Sequence, residues 1–177
     1  GLQDDMEYIE LYNTTSDSVN LDGWTLADAG TAGNSFNFAF ANTDTIPGYG
    51  YFVCYEDGDG DVGGAAFSDI SSHYGKSGTG APSWLADNDL TNDGDTVSLR
   101  DNANIEVDSA SFMSGWPAGG WTGQPNDTVS VSMERKLSGV NLTTSGYGSN
   151  ATEWDSNTRR HGHGSRPHGT PGHANSI

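Results

Sequence analysis

The chain has 177 residues, 33% of them apolar, and sets 24 acidic side chains against 7 basic ones for a formal charge of −17. That length suits one sizeable domain, which buries roughly 70% of its unfolded surface without help from disulfides or metals. The acid excess, with Asp outnumbering Glu 18 to 6, repels nucleic acid and anionic lipid and disfavours both as partners. No stretch approaches the ~20 apolar residues of a membrane span, so no membrane insertion is expected. The abundance of Gly, Ser, Thr, Asn and Asp disfavours helices and favours turns between short strands. Gly1 in place of Met suits a processed mature form or an excised domain, and Cys54 is the sole cysteine, which leaves no disulfide within the chain.

Taken in order, "EYIELYN" sets Tyr8, Glu10 and Tyr12 on one face and Ile9 and Leu11 on the other, the period of a half-buried strand. A turn cluster over 14–18 leads to Val19 and Leu21, and Asp22-Gly23 supplies a turn before Trp24 and Leu26. Two strands joined by a turn are expected here, with Trp24 as a large core plug. "FNFAF" puts Phe36, Phe38 and Phe40 on one face. After Pro47-Gly48, the unbroken run "YFVCY" over 51–55 reads as a strand covered on both faces, with Cys54 a small buried hydrophobe. From 56 to 92 the pattern fades into Gly, Ser and Asp, read as one long insertion loop. Alternation returns at 95–99 and 105–112, joined by a hairpin loop over 100–104, and again at 128–135. Beyond Lys136 the chain is polar, with Trp154 as its large apolar anchor.

Seven or eight short strands with regular turns predict an all-β fold, a β-sandwich, in a single domain over 1–177 with the 56–92 insertion and an irregular C-terminal extension over 136–177. The expected core comprises Ile9, Leu11, Trp24, Leu26, Phe52, Val97 and Leu99.

Several motifs together resemble the lamin-tail domain family. "EYIELYNTTSDSVNLDGWTL" is similar to its opening E-L-x-N, turn, V-x-L-x-G-W-x-L. "GYGYFVC" and "LTNDGDTVSLRDNANIEVDSASF" resemble its central strand and its L-x-N-x-G-D-x-V-x-L-x-D hairpin. "SMER" at 132–135 and "GTPGHAN" at 169–175 are similar to the ends of bacterial and archaeal members. The resemblance implies an immunoglobulin-like sandwich without known catalytic residues. It implies a protein-binding module: in animals behind the coiled-coil rod of nuclear filament proteins, in prokaryotes an accessory to secreted or cell-surface proteins. This chain has no heptads, no basic localisation run and no prenylation signal, so the prokaryotic secreted type is the one it suits.

Candidate sites lie mainly outside those motifs. Asp57, Asp59 and Asp61 alternate with Gly, and Asp69 follows; carboxylates so close together need a cation or solvent between them, and Ca²⁺ is the cofactor they suit. The EF-hand pattern fails, because Val62 and Ser68 stand where it needs Gly and Glu. A solvated loop is the simpler alternative. Trp116 and Trp121, in a Gly/Pro loop, can stack on sugar rings or cap one end of the sandwich. In the tail, Arg159, Arg160, His161, His163 and Arg166 are cationic or titratable groups suited to an acidic body, and imidazole also ligates zinc.

No nucleophile-and-base pairing or phosphate loop emerges: "GKSGTG" at 75–80 lacks the upstream glycine. The expectation is therefore a non-catalytic, extracellular or cell-surface module that works by contact with other proteins. The alternatives are a self-assembling subunit of a filament or particle coat, built by strand or tail exchange, and a calcium- or carbohydrate-binding adhesin. Four N-x-S/T sequons, at Asn13, Asn126, Asn141 and Asn150, fit a surface-exposed protein.

Overall fold

The computed structural model of the chain describes residues 8–28, 37–57, 79–85, 94–113, 133–135 and 151–156. Strands dominate these residues. β1 (Tyr8–Tyr12), β6 (Tyr51–Asp57) and β7 (Thr79–Leu85) form one sheet in that order. β4 (Asn37–Ala39), β3 (Thr25–Asp28), β8 (Gly94–Arg100) and β9 (Glu106–Met113) form a second, in that order. Two ribbons complete the set: β2 (Val19–Asn20) with β5 (Thr45–Ile46), and β10 (Met133–Arg135) with β11 (Trp154–Ser156). A 3-10 turn over Ala151–Glu153 leads into β11. All these pairings are antiparallel except β6 with β7. The fold is an all-β, immunoglobulin-like sandwich.

The core lies between the two sheets, where alternation aims every second side chain. Leu21, Leu26, Phe40, Ile46, Phe52, Cys54 and Val97 are buried there, and Ile9, Leu11, Val19, Trp24, Phe38 and Leu99 pack against them. Every expected core residue is thus in place. Trp24 is half-buried at the margin rather than a central plug. The central role falls to Phe40, whose ring meets Phe38 at 4.9 Å and Phe52 at 5.6 Å, both edge-on. Such geometry sets a positive ring edge against a negative face. Val53 faces away from Phe52 and Cys54 along β6, yet it is 1% exposed. β6 is covered on both faces, as its unbroken apolar run predicts.

Two expectations change. The opening segment does not close on itself: β1 pairs with β6, β2 with β5, and β3 with β4 and β8. Its turns send consecutive strands into three different ladders, so the stretch frames the whole sandwich. The 56–92 stretch is not all loop either, since β6 runs to Asp57 and β7 occupies Thr79–Leu85. β7 lies parallel against β6, with Pro82 opposite Tyr55 and a register shift between Tyr55 and Glu56. A proline has no N–H for a ladder and is tolerated at a sheet margin. That is where β7 sits, last in its sheet.

Candidate contact site

Polar side chains cluster at two places on this frame. The first is the end of the sandwich where β1 hands over to the turn cluster. Asn13, 6% exposed, is the buried polar residue among those described. Its Nδ2 donates to the carbonyl oxygens of Asp17 at 2.7 Å, Pro47 at 3.0 Å and Ile46 at 3.4 Å. Its Oδ1 accepts from the Thr15 N–H at 3.0 Å and the Thr15 hydroxyl at 2.8 Å. Its own N–H donates to Gly50 O at 3.0 Å, and Tyr49 N–H donates to Thr15 O at 2.8 Å. One amide therefore joins the 13–17 turn to the 46–50 turn. The two turns meet so closely that a Cβ on Gly48 would collide with the Ser16 carbonyl oxygen. Beside them Tyr49, 61% exposed, holds φ 52°, a left-handed conformation that costs a non-glycine residue strain.

This settles one sequon. A glycan would attach at Asn13 Nδ2, the atom that donates to three carbonyls inside the fold. In the folded chain Asn13 is spent on architecture.

The second cluster runs along the β8–β9 hairpin and the strand beyond it. Asp101 Oδ1 accepts from the N–H groups of Ala103 and Ile105, both at 2.9 Å, and Asn104 takes φ 61°, the conformation Asn tolerates best after Gly. Arg100 Nη2 meets Glu106 Oε2 at 3.1 Å across the hairpin mouth. Gly23, at φ 74°, holds the 22–23 turn where a Cβ would come within 3.1 Å of Asn102 Cβ. Further along, Arg135 brings β10–β11 against β9. Its Nη1 donates to Asp108 Oδ2 at 2.6 Å, its Nη2 donates to Ser109 O at 3.2 Å, and its guanidinium lies 5.2 Å from the centre of the Trp154 ring. Ile105 at 62% exposure and Val107 at 51% stand out as apolar side chains in water beside this edge.

Reactivity is damped where the structure resolves it. Burial, with a smaller effect from the Asp44 charge, pushes the Cys54 thiol far above its ordinary range, which removes the thiolate that thiol chemistry needs. Tyr51 stacks on Tyr12 with centroids 4.8 Å apart. Burial, then the charges of Glu10 and Tyr12, raise its hydroxyl from 10.0 to about 12.

The sequence-predicted site residues fall mostly elsewhere. Asp57 ends β6; Asp59, Asp61, Asp69, Trp116, Trp121, Arg159, Arg160, His161, His163 and Arg166 lie outside the described residues. Among the described residues no group of three or more His, Cys, Asp or Glu is placed to hold a metal, and no helix is long and apolar enough to cross a membrane. What sequence reasoning missed was Asn13, Asp108 and Arg135. An Asn closing an alternating strand before Thr-Thr-Ser is an Asx-turn signal, and it was available. Nothing local flagged Asp108 and Arg135, because their pairing spans 27 positions.

A family model for the Lamin Tail Domain matches residues 1–114. The chain belongs to the lamin tail domain family. No curated protein matches it. The lamin-tail match ends one residue beyond β9, so it takes in both sheets but stops short of "SMER" and "GTPGHAN". β10 and β11 lie outside the matched residues, and Arg135 is their described tie to them.

Proposed function

We propose that this lamin-tail domain is a non-catalytic module, exported or displayed at a cell surface, that works by contact with other proteins, copies of itself among them. Nucleic acid and membrane interior are not its partners on this reading. The supporting observation is how the fold uses its polar groups. Asn13, Asn20, Asp44 and Asp101 direct side-chain oxygens at backbone N–H groups of nearby turns, and the thiol is sealed in the core. Among the described residues these polar groups hold turns, while the exposed Ile105 and Val107 by the β8–β9 hairpin offer apolar surface for contact. Family membership supports the same reading, since immunoglobulin-like domains of this kind serve as binding modules. The acid excess suits an exported, highly solvated surface.

Protease shaving of intact source cells, followed by peptide mass spectrometry, tests the location. Peptides of this chain released before lysis are the expected result; release only after lysis overturns it. The contact role is checked by mixing the folded chain with a surface-protein extract and following its sedimentation. A faster boundary, absent with the heat-unfolded chain, is expected.

A further inference from the structure

We propose that Asp108 and Arg135 form a latch that keeps the β9 edge closed against strand addition by a second copy of this chain. Among the described residues β9 ends its four-stranded sheet, and the outer side of an end strand presents a row of backbone groups that can pair with another strand. At Ser109 both groups are already taken. Asp108 Oδ1 accepts its N–H at 2.9 Å, and Arg135 Nη2 donates to its C=O at 3.2 Å. The same two side chains then bind each other, Nη1 to Oδ2 at 2.6 Å. Asp108 lies opposite Leu99 in the β8–β9 register, and its half-exposed carboxylate stands at the strand's margin, where Arg135 meets it. Charged side chains on an end strand are a known guard against edge pairing. The guanidinium also lies 5.2 Å from the centre of the Trp154 ring, so the β10–β11 ribbon helps aim the latch.

The occupant kept out is a second β9. A two-fold axis through Ser109 would set Ser109 opposite its own copy, where their N–H and C=O groups can exchange bonds. In that register Asp108 faces Ala110, Val107 faces Ser111 and Glu106 faces Phe112, so no carboxylate opposes another. Ile105 and Val107, exposed beside the strand, would gain cover. The edge is thus self-complementary in hydrogen bonding, no carboxylate stands directly opposite another, and the latch occupies its centre. This inference goes beyond the contact role proposed above and holds whether or not a foreign partner exists.

The test is sedimentation equilibrium of the pure full chain as wild type, Arg135→Met, Asp108→Ala and the pair combined, each with and without Ser109→Pro. Met keeps an unbranched stem against Trp154 but donates nothing. Proline at 109 removes the N–H that an added strand needs, and it is tolerated at an edge. The expected result is a wild type that stays monomeric through this edge. Arg135→Met should self-associate roughly tenfold more tightly, the combined variant more tightly still, and Ser109→Pro should return both to wild type. Should Arg135→Met lose its β-type circular dichroism, Asp108→Ala, which leaves Arg135 over Trp154, carries the test alone. Variants that associate no more than wild type overturn the latch. So does association that Ser109→Pro leaves intact, or a wild type already dimeric through β9. These outcomes involve the pure chain only, so they are separate from the surface location that shaving decides.

Discussion

Asn13 and Arg135 do the same job in opposite surroundings. Each caps backbone groups between segments distant in sequence: Asn13 joins the 13–17 and 46–50 turns, and Arg135 joins β10–β11 to β9. Asn13 is neutral and 6% exposed, with both ends of its amide satisfied. Arg135 is charged and its carboxylate partner is half exposed. A buried amide is hard to replace, because its removal strands carbonyls partly or wholly shielded from water. A charged pair with one half-exposed member competes in part with water and salt, so its loss costs the fold less. The contrast separates what keeps the sandwich folded from what governs its margin.

That contrast can be broken or sharpened by substitution. The largest expected effect belongs to neither clamp. Phe52→Ala, which empties the centre of the core and removes the edge-on contact with Phe40, should cost about 4 kcal/mol in chemical denaturation. A loss below about 1 kcal/mol would show that the sheets pack elsewhere. Asn13→Ala should cost about 3 kcal/mol, and Asn13→Asp more, because a carboxylate would face three carbonyl oxygens. If Asp proved the milder change, the donor role of Nδ2 would be wrong.

Tyr51 ranks third. Its folded hydroxyl titrates at about 12 against an ordinary 10.0, so the folded chain holds this proton more tightly than the unfolded one. The contribution is complete below pH 10 and disappears as pH rises through 12. Urea midpoints measured from pH 9 to 12 should fall for wild type, and Tyr51→Phe should flatten part of that slope. An unchanged slope would remove Tyr51 as its source. The smallest effect is Glu106→Gln, which loosens an ion pair exposed on both sides. It should alter stability by no more than about 0.5 kcal/mol, and a larger loss would place the hairpin mouth among the fold's structural anchors.

Much of this fold could be read from local pattern. Alternation at 8–12, the apolar run at 51–55 and the returning alternation at 95–99 and 105–112 each mark a strand within a few residues, because a strand's two faces demand it. The core followed from the same signal. β7 was illegible: a Gly/Ser/Pro segment with no alternation becomes a strand through the margin of β6, information held 27 or 28 positions away. β5, two residues long, is a strand only because β2 lies beside it.

The candidate site divides along the same line. Sequence alone determined the all-β class, the expected inward-facing residues and the β8–β9 hairpin, whose loop falls one residue later than expected, at 101–105, since side-chain period and turn chemistry act over a few positions. Tertiary structure alone decided that consecutive opening strands enter different ladders, that the Asn13 sequon is sealed inside the fold, and that Arg135 reaches the β9 edge. Each depends on hydrogen-bonding groups brought together from distant parts of the chain. No local pattern encodes the partner that satisfies a buried amide or an open strand edge.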